Sequence, residues 1–234
     1  MDENGGRAKN MKKAVVLLSG GIDSTVCLAL AHRDGYELYP ISFDYNQRHK
    51  RELDSARQIA EYYHCPRHLI ITTNMDAIGG SALTGTMEVP EGDIERKDIP
   101  PTYVPARNLI FLSYAVGYAE VVGAERIYIG VNALDYAGYP DCRPEFIQRF
   151  QATVDYATKA TTRDAQRIEI VTPLINLDKA GIIKLGMELK APLHLTTTCY
   201  RGGEKACGRC DACLLRLQGF SRAGFQDPIN YVHL

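Results

Sequence analysis

The chain has 234 residues, a length that suits one large domain with a small appendage, and its 45% hydrophobic and 24% charged residues exclude a disordered composition. No stretch approaches the roughly 18 consecutive apolar residues of a membrane span. A formal net charge of −1 supplies no global field toward nucleic acid, so small substrates are expected ahead of polynucleotides and membranes.

Residues 1–10 are polar and lack the apolar centre of a signal peptide, and are expected to be a disordered extension on a cytoplasmic protein. Residues 12–18 (KKAVVLL) form an apolar run stopped by Ser19-Gly20-Gly21, the pattern of a strand covered on both faces. A helix over 25–33, a strand over 38–43 entered through a turn at Gly35, a helix over 50–63 and a strand over 68–72 complete a βαβαβ order. Residues 74–105, rich in Gly, Pro and acid, read as a long loop or lid. Then come a helix over 107–122, a strand over 126–131, a helix over 146–159 and a strand over 168–171. Asp178 is a candidate N-cap for a helix running to about residue 189, with Pro192 as its stop, and a last helix covers 213–220. The expected fold is an α/β domain with a Rossmann-like parallel sheet over 11–192, followed by a cysteine-bearing region over 193–234.

Ser19-Gly20-Gly21-Ile22-Asp23-Ser24 lies between the first strand and the first helix, where the carboxyl end of a parallel strand meets unpaired helix amides. Two glycines let backbone N–H groups approach a phosphate, and Ser19, Ser24 and Thr25 add hydroxyls. Neither a Walker A ending nor the dinucleotide Gly spacing is present. A tight strand-to-helix turn with Asp23 as a cap is the plainer alternative. Near the other end, Cys199, Cys207, Cys210 and Cys213 place four of the seven cysteines within fifteen residues. Four thiolates at these spacings suit a closed tetrahedral zinc site that contributes folding energy, with an iron–sulfur cluster as the other metal reading. Cys27, Cys65 and Cys142 read as buried small residues.

The SGG-x-DS loop resembles the PP-loop of ATP pyrophosphatases, the adenine nucleotide α-hydrolase-like fold. With residues 43–49 (FDYNQRH), 103–108 (YVPARN) and 138–146 (GYPDCRPEF), the chain from about 11 to 228 resembles the 7-cyano-7-deazaguanine synthase family. Ile22 departs from it where many relatives carry Gln, without removing a phosphate-binding group. The resemblance implies conversion of 7-carboxy-7-deazaguanine, ammonia and ATP to 7-cyano-7-deazaguanine, with Mg²⁺, structural Zn²⁺ and a homodimer. It places ATP on Leu18, Ser19, Gly20, Gly21, Ile22, Asp23, Ser24, Thr25, Val26, Cys27 and Leu28, with help from Ser42 and Asp44. It gives Gln47, Arg48, Tyr103, Arg107, Asn108, Asp135, Tyr139 and Asp141 to the substrate, and catalytic roles to Asp23, Ser19 and Arg107. Taken singly these have plainer readings: Arg107 and Asn108 start a helix, Arg48 is a surface charge, and residues 139–141 form a turn. A tRNA-modifying PP-loop enzyme and a zinc-ribbon interaction module are the rivals, disfavoured by the neutral charge and the intact loop respectively.

Overall fold

Five short strands form one parallel sheet in the order β3-β2-β1-β4-β5, with β1 (Lys13–Leu17), β2 (Glu37–Asp44), β3 (Leu69–Thr72), β4 (Arg126–Tyr128) and β5 (Glu169–Val171). The computed structural model describes residues 11–47, 50–85, 87–93, 98–134 and 139–232. The central strand explains its own apolar run. Successive side chains of a strand point to opposite faces. Val15 and Leu17 therefore enter the core shared with α3 (Arg107–Val122) and α4 (Pro144–Ala157), while Ala14 and Val16 enter the one shared with α1 (Ile22–Arg33), α2 (Arg51–Tyr62), α6 (Lys179–Glu188) and the C-terminal half of α7 (Asp211–Ala223). A one-residue α4 exit at Thr158 leads into the short α5 (Lys159–Thr162), capped by the Thr158 hydroxyl accepting from the Thr161 amide.

The chain order reverses direction across the sheet between β1 and β4, so the loops leaving their carboxyl ends diverge and open a crevice. Boundaries shift from the expected ones for local reasons. α1 begins at Ile22, three residues early, because the Thr25 amide and hydroxyl both bond the Gly21 carbonyl, at 3.1 and 2.8 Å. β4 ends at Tyr128 rather than 131: the Ile129 amide still reaches the Val171 carbonyl at 3.1 Å, but Gly130 and Val131 turn into the crevice wall. α4 starts at Pro144, where a missing N–H costs nothing. α7 starts at Asp211, directly after Cys210, and runs to Ala223, where Gly224 in the left-handed region ends it. Within 74–105, the described residues hold one 3₁₀ turn, Met75–Ala77, and no strand or α-helix.

The C-terminal tail is fastened by a buried charge cluster. The Arg216 guanidinium, 1% exposed, donates to both Asp227 oxygens at 2.7 and 2.9 Å and to the Thr196 hydroxyl at 2.7 Å, while the Tyr231 hydroxyl also bonds Asp227. Such bidentate geometry offsets the desolvation of both charges. Ala206 pairs with Tyr231 beyond it, so the tail crosses the cysteine loop. Among the described residues no helix is long and apolar enough to cross a membrane.

Candidate active site and metal centre

The crevice is a cavity whose floor is the loop leaving β1. Gly20 holds φ +85°, and a Cβ there would stand 2.2 Å from the Glu52 carbonyl oxygen, so the first turn of α2 closes down on a residue that must lack a side chain. The Ser24 hydroxyl lies 3.2 Å from the Ser19 amide and 3.1 Å from the Ser19 hydroxyl, and donates to the Gly21 carbonyl. The Thr197 amide donates to the Gly20 carbonyl at 2.9 Å, fixing the loop from outside. Gly21 caps α1 in extended conformation with no side-chain cap, which leaves the helix's first amides facing the cavity.

Lys179 is the residue the sequence reading missed. It opens α6, behind the Asp178 cap whose carboxylate accepts from the Gly181 amide, and its ammonium bonds both Asp23 oxygens at 2.7 and 2.8 Å. The pair is largely buried and lines the cavity beside the loop. The Asn132 amide stands 3.5 Å from Asp23.

The cavity also has an aromatic lining. Phe43 stacks on Phe111 with centroids 3.8 Å apart, and Tyr45, Tyr139 and Tyr200 also line the wall. Arg107 enters among them from the first turn of α3. The buried tyrosine hydroxyls around it, Tyr45 foremost, hold its proton more tightly than usual against the effect of burial. Glu52, from α2, lines the same wall; burial raises its carboxyl to about 7, and the Arg107 charge opposes that rise. α3 receives its cap from far along the chain: the Asp141 carboxylate accepts from the Asn108 amide at 2.9 Å, while the other Asp141 oxygen is buried without a partner.

The predicted residues fall into groups. Leu18, Ser19, Gly21, Ile22, Asp23, Ser24, Gln47, Arg107, Asn108 and Tyr139 line the cavity. Thr25, Val26, Cys27 and Leu28 are fully buried behind the loop, where α1 packs on the sheet. Ser42 is also behind it, tying the Leu18 carbonyl to His68 Nε2, and Asp44 pairs with Lys50 at 2.7 Å. Tyr103 packs against Tyr139 and accepts from the Ala106 amide, and Asp141 acts as the α3 cap. Arg48 and Asp135 lie outside the described residues. The Gln47 side chain bonds the Tyr45 amide and the Phe43 carbonyl, so its amide group shapes the end of β2.

Cys199, Cys207, Cys210 and Cys213 converge with all sulfurs within 4.8 Å of one another and all four side chains buried. Cys207 and Cys213 are 3.9 Å apart, close to the ~3.8 Å edge of a tetrahedron with bonds of about 2.3 Å. That spacing suits a single ion better than a cluster with each thiolate on a different iron. The Cys207 amide donates to the Cys199 sulfur at 3.3 Å and the Arg209 amide to the Cys207 sulfur at 3.5 Å. The thiols share their protons unevenly: hydrogen bonds from Cys210 and Cys213 lower the Cys199 thiol, and the same coupling to Cys199 raises Cys210 and Cys213. The centre adjoins the cavity, because Tyr200 and Ala212, each beside a metal-site cysteine, line its wall.

The family model described as queuosine biosynthesis protein QueC matches residues 13–224. The chain is 59% identical over 224 residues to 7-cyano-7-deazaguanine synthase 2 of Desulfitobacterium hafniense strain Y51, covering 95% of this chain and 94% of that one. It is 60% identical to the 7-cyano-7-deazaguanine synthase of Acetivibrio thermocellus, covering 95% and 99%, and 55% identical to that of Oceanobacillus iheyensis, covering 94% and 99%.

Proposed function

Because this chain belongs to the queuosine biosynthesis protein QueC family and is an ATP-dependent synthase of 7-cyano-7-deazaguanine, we propose that its cavity brings 7-carboxy-7-deazaguanine, ATP and ammonia together. The observation that carries this reading is that one cavity is lined both by the loop leaving β1 with Lys179 and by aromatic side chains with Arg107.

A carboxylate is a poor electrophile, and hydroxide is a poor leaving group. In the proposed sequence a carboxylate oxygen attacks the α-phosphorus of ATP, the bond to the β-phosphate oxygen breaks, and pyrophosphate leaves. Ammonia then attacks the acyl carbon, loses a proton, and expels the nucleotide to give the amide. A second nucleotidyl transfer to the amide oxygen lets the nitrogen's two protons leave with the C–O bond, giving the nitrile. The residues supply position and charge. The Ser19 to Ser24 amides and hydroxyls face the phosphates. Lys179, held by Asp23, adds a fixed positive charge beside them. Arg107 faces the substrate's anionic group, and the aromatic wall excludes water from the activated acid.

Asp23 has both oxygens engaged by Lys179, so a magnesium ion would be held chiefly by phosphate oxygens and water, its common arrangement with nucleotides. When bound it neutralises phosphate charge. The four thiolates fit zinc, the ion that gains most from a closed tetrahedral sulfur site, and its contribution there is to the fold. Residues 11–192 serve as the nucleotide-binding domain and 193–234 as the metal-binding region, docked on it where α7 packs on α6. α3 leaves Leu109, Tyr114 and Val121 exposed, apolar surface of the kind a second subunit covers, in keeping with a homodimer in the cytoplasm. The test is incubation of the pure protein with the carboxy-deazaguanine, ammonia and ATP, followed by mass spectrometry. The nitrile is expected; unchanged acid with all three present contradicts the reading.

A further inference from the structure

Glu52 is an anomaly in this cavity. The site is proposed to collect anions, a triphosphate and a carboxylic acid, yet α2 places a carboxylate in its wall, and burial already disfavours the charge. A structural salt bridge does not account for it. Glu52 feels Arg107 only through space, and among the described residues its carboxylate has neither a hydrogen bond nor an ion pair. The Glu52 side chain is half-buried and lines the cavity, so a ligand seated there would take its oxygens from water and would have to supply the donors. The position is fixed from behind. The Glu52 carbonyl packs on Gly20, and one turn later the Ser55 hydroxyl bonds the Thr197 hydroxyl at 2.8 Å, so the first turn of α2 is pinned to the phosphate loop and to residue 197.

The cavity thus presents a carboxyl group, which accepts through both oxygens once ionised, and a donor-only group, Glu52 and Arg107, beside stacked aromatic rings. That pairing suits a flat heterocycle with adjacent N–H donors on one edge and an anionic substituent on another. Resting on the synthase reading above, we infer that Glu52 is a specificity-determining residue, whose two carboxylate oxygens accept hydrogen bonds from the ring N–H and 2-amino group of the 2-amino-4-oxopyrimidine edge, while Arg107 faces the carboxylate at the other side of the ring. A bidentate carboxylate reads that edge because both of its donors must be present. It rejects a ring whose 2-amino group is missing, since one oxygen, cut off from water by the bound ring, then stays unpaired.

The test compares 7-carboxy-7-deazaguanine with its analogue lacking the 2-amino group, on the wild-type protein and on Glu52→Gln, with ATP and ammonia each varied separately. The wild type is expected to use the analogue about 10- to 100-fold less efficiently in kcat/KM. Glu52→Gln should lower efficiency with the parent acid toward the analogue's level, leaving a discrimination within about threefold, because the Gln amide offers a single acceptor. The KM values for ATP and ammonia should change less than about threefold. Equal use of both acids by the wild type overturns the inference whether or not the variant folds. Full discrimination retained in Glu52→Gln overturns it, as does a defect confined to the ammonia KM. Conversion of the parent acid by the wild type checks the synthase reading separately: without it that reading fails, and with it the discrimination bears on Glu52 alone.

Discussion

A single long-range pair sets the charge beside the loop that leaves β1. Lys179 and Asp23 are 156 positions apart, and neither is identifiable as a partner from its surroundings in the chain. Lys179→Ala is expected to reduce turnover by about 100- to 1000-fold, the scale of losing one charged group aimed at a reacting anion, while the melting temperature shifts by a few degrees. Steady-state kinetics beside a thermal melt would check it. Asp23→Ala should also abolish turnover, since it frees the lysine from its fixed place. His68 offers a prediction of opposite character. Burial, with a smaller push from Arg57, lowers its pKa to about 4 from an ordinary value of 6.5, and its Nε2 lies 2.7 Å from the Ser42 hydroxyl behind the loop. A depressed folded pKa means that the neutral form is favoured by folding. Its stabilising contribution is present above pH 6.5 and is lost as pH falls toward 4. Replacing it in His68→Gln should flatten the loss of denaturant stability across that window, and an unchanged slope would count against the assignment.

At the scale of elements, the loop between β1 and α1 depends on how closely α2 approaches it. Gly20→Ala combines a left-handed backbone with a Cβ driven against the Glu52 carbonyl, and should destabilise by about 1–3 kcal/mol while weakening ATP binding, as calorimetry and a nucleotide titration would show. The long loop is fastened in a comparable way. The Gly92 amide donates to the Arg209 carbonyl at 2.8 Å, the Asp93 amide donates to Asp211, and Glu91 pairs with Arg201 at 2.7 Å. A Cβ at Gly92 would lie 2.5 Å from Leu214 Cδ1 and 2.9 Å from the Arg209 carbonyl oxygen. Gly92→Ala should release this stretch from the start of α7, seen as faster proteolysis between residues 74 and 105 with the rest of the fold intact. Much of this level was legible beforehand. The βαβαβ order, the glycine-bearing turn between β1 and α1 and the α3 span follow from apolar runs broken by Gly and Ser, because each signal is local. The end of β4 and the start of α7 differ from the sequence expectation, since the sheet register and the four-cysteine cluster decide them from outside the segment. Glu52 carries no local signal of a site, and only the packing of α2 on Gly20 brings it into the cavity.

Across the whole molecule, the four-cysteine cluster and the cavity share a wall, through Tyr200 and Ala212, and the Arg216–Asp227 cluster ties the tail to the same region. Cys210→Ser should therefore lower bound metal and melting temperature together, and should reduce activity in the fraction that remains folded; metal content and stability equal to wild type would refute a structural ion. The central claim is that the loop at the mouth of β1 directs a carboxylate oxygen onto the α-phosphorus of ATP. The most direct measurement uses 7-carboxy-7-deazaguanine labelled with ¹⁸O in both carboxyl oxygens, with mass analysis of the nucleotide and phosphate products. One labelled oxygen is expected in AMP for each activation step and none in pyrophosphate. Label appearing in inorganic phosphate, or retained by neither product while the nitrile forms, would contradict it.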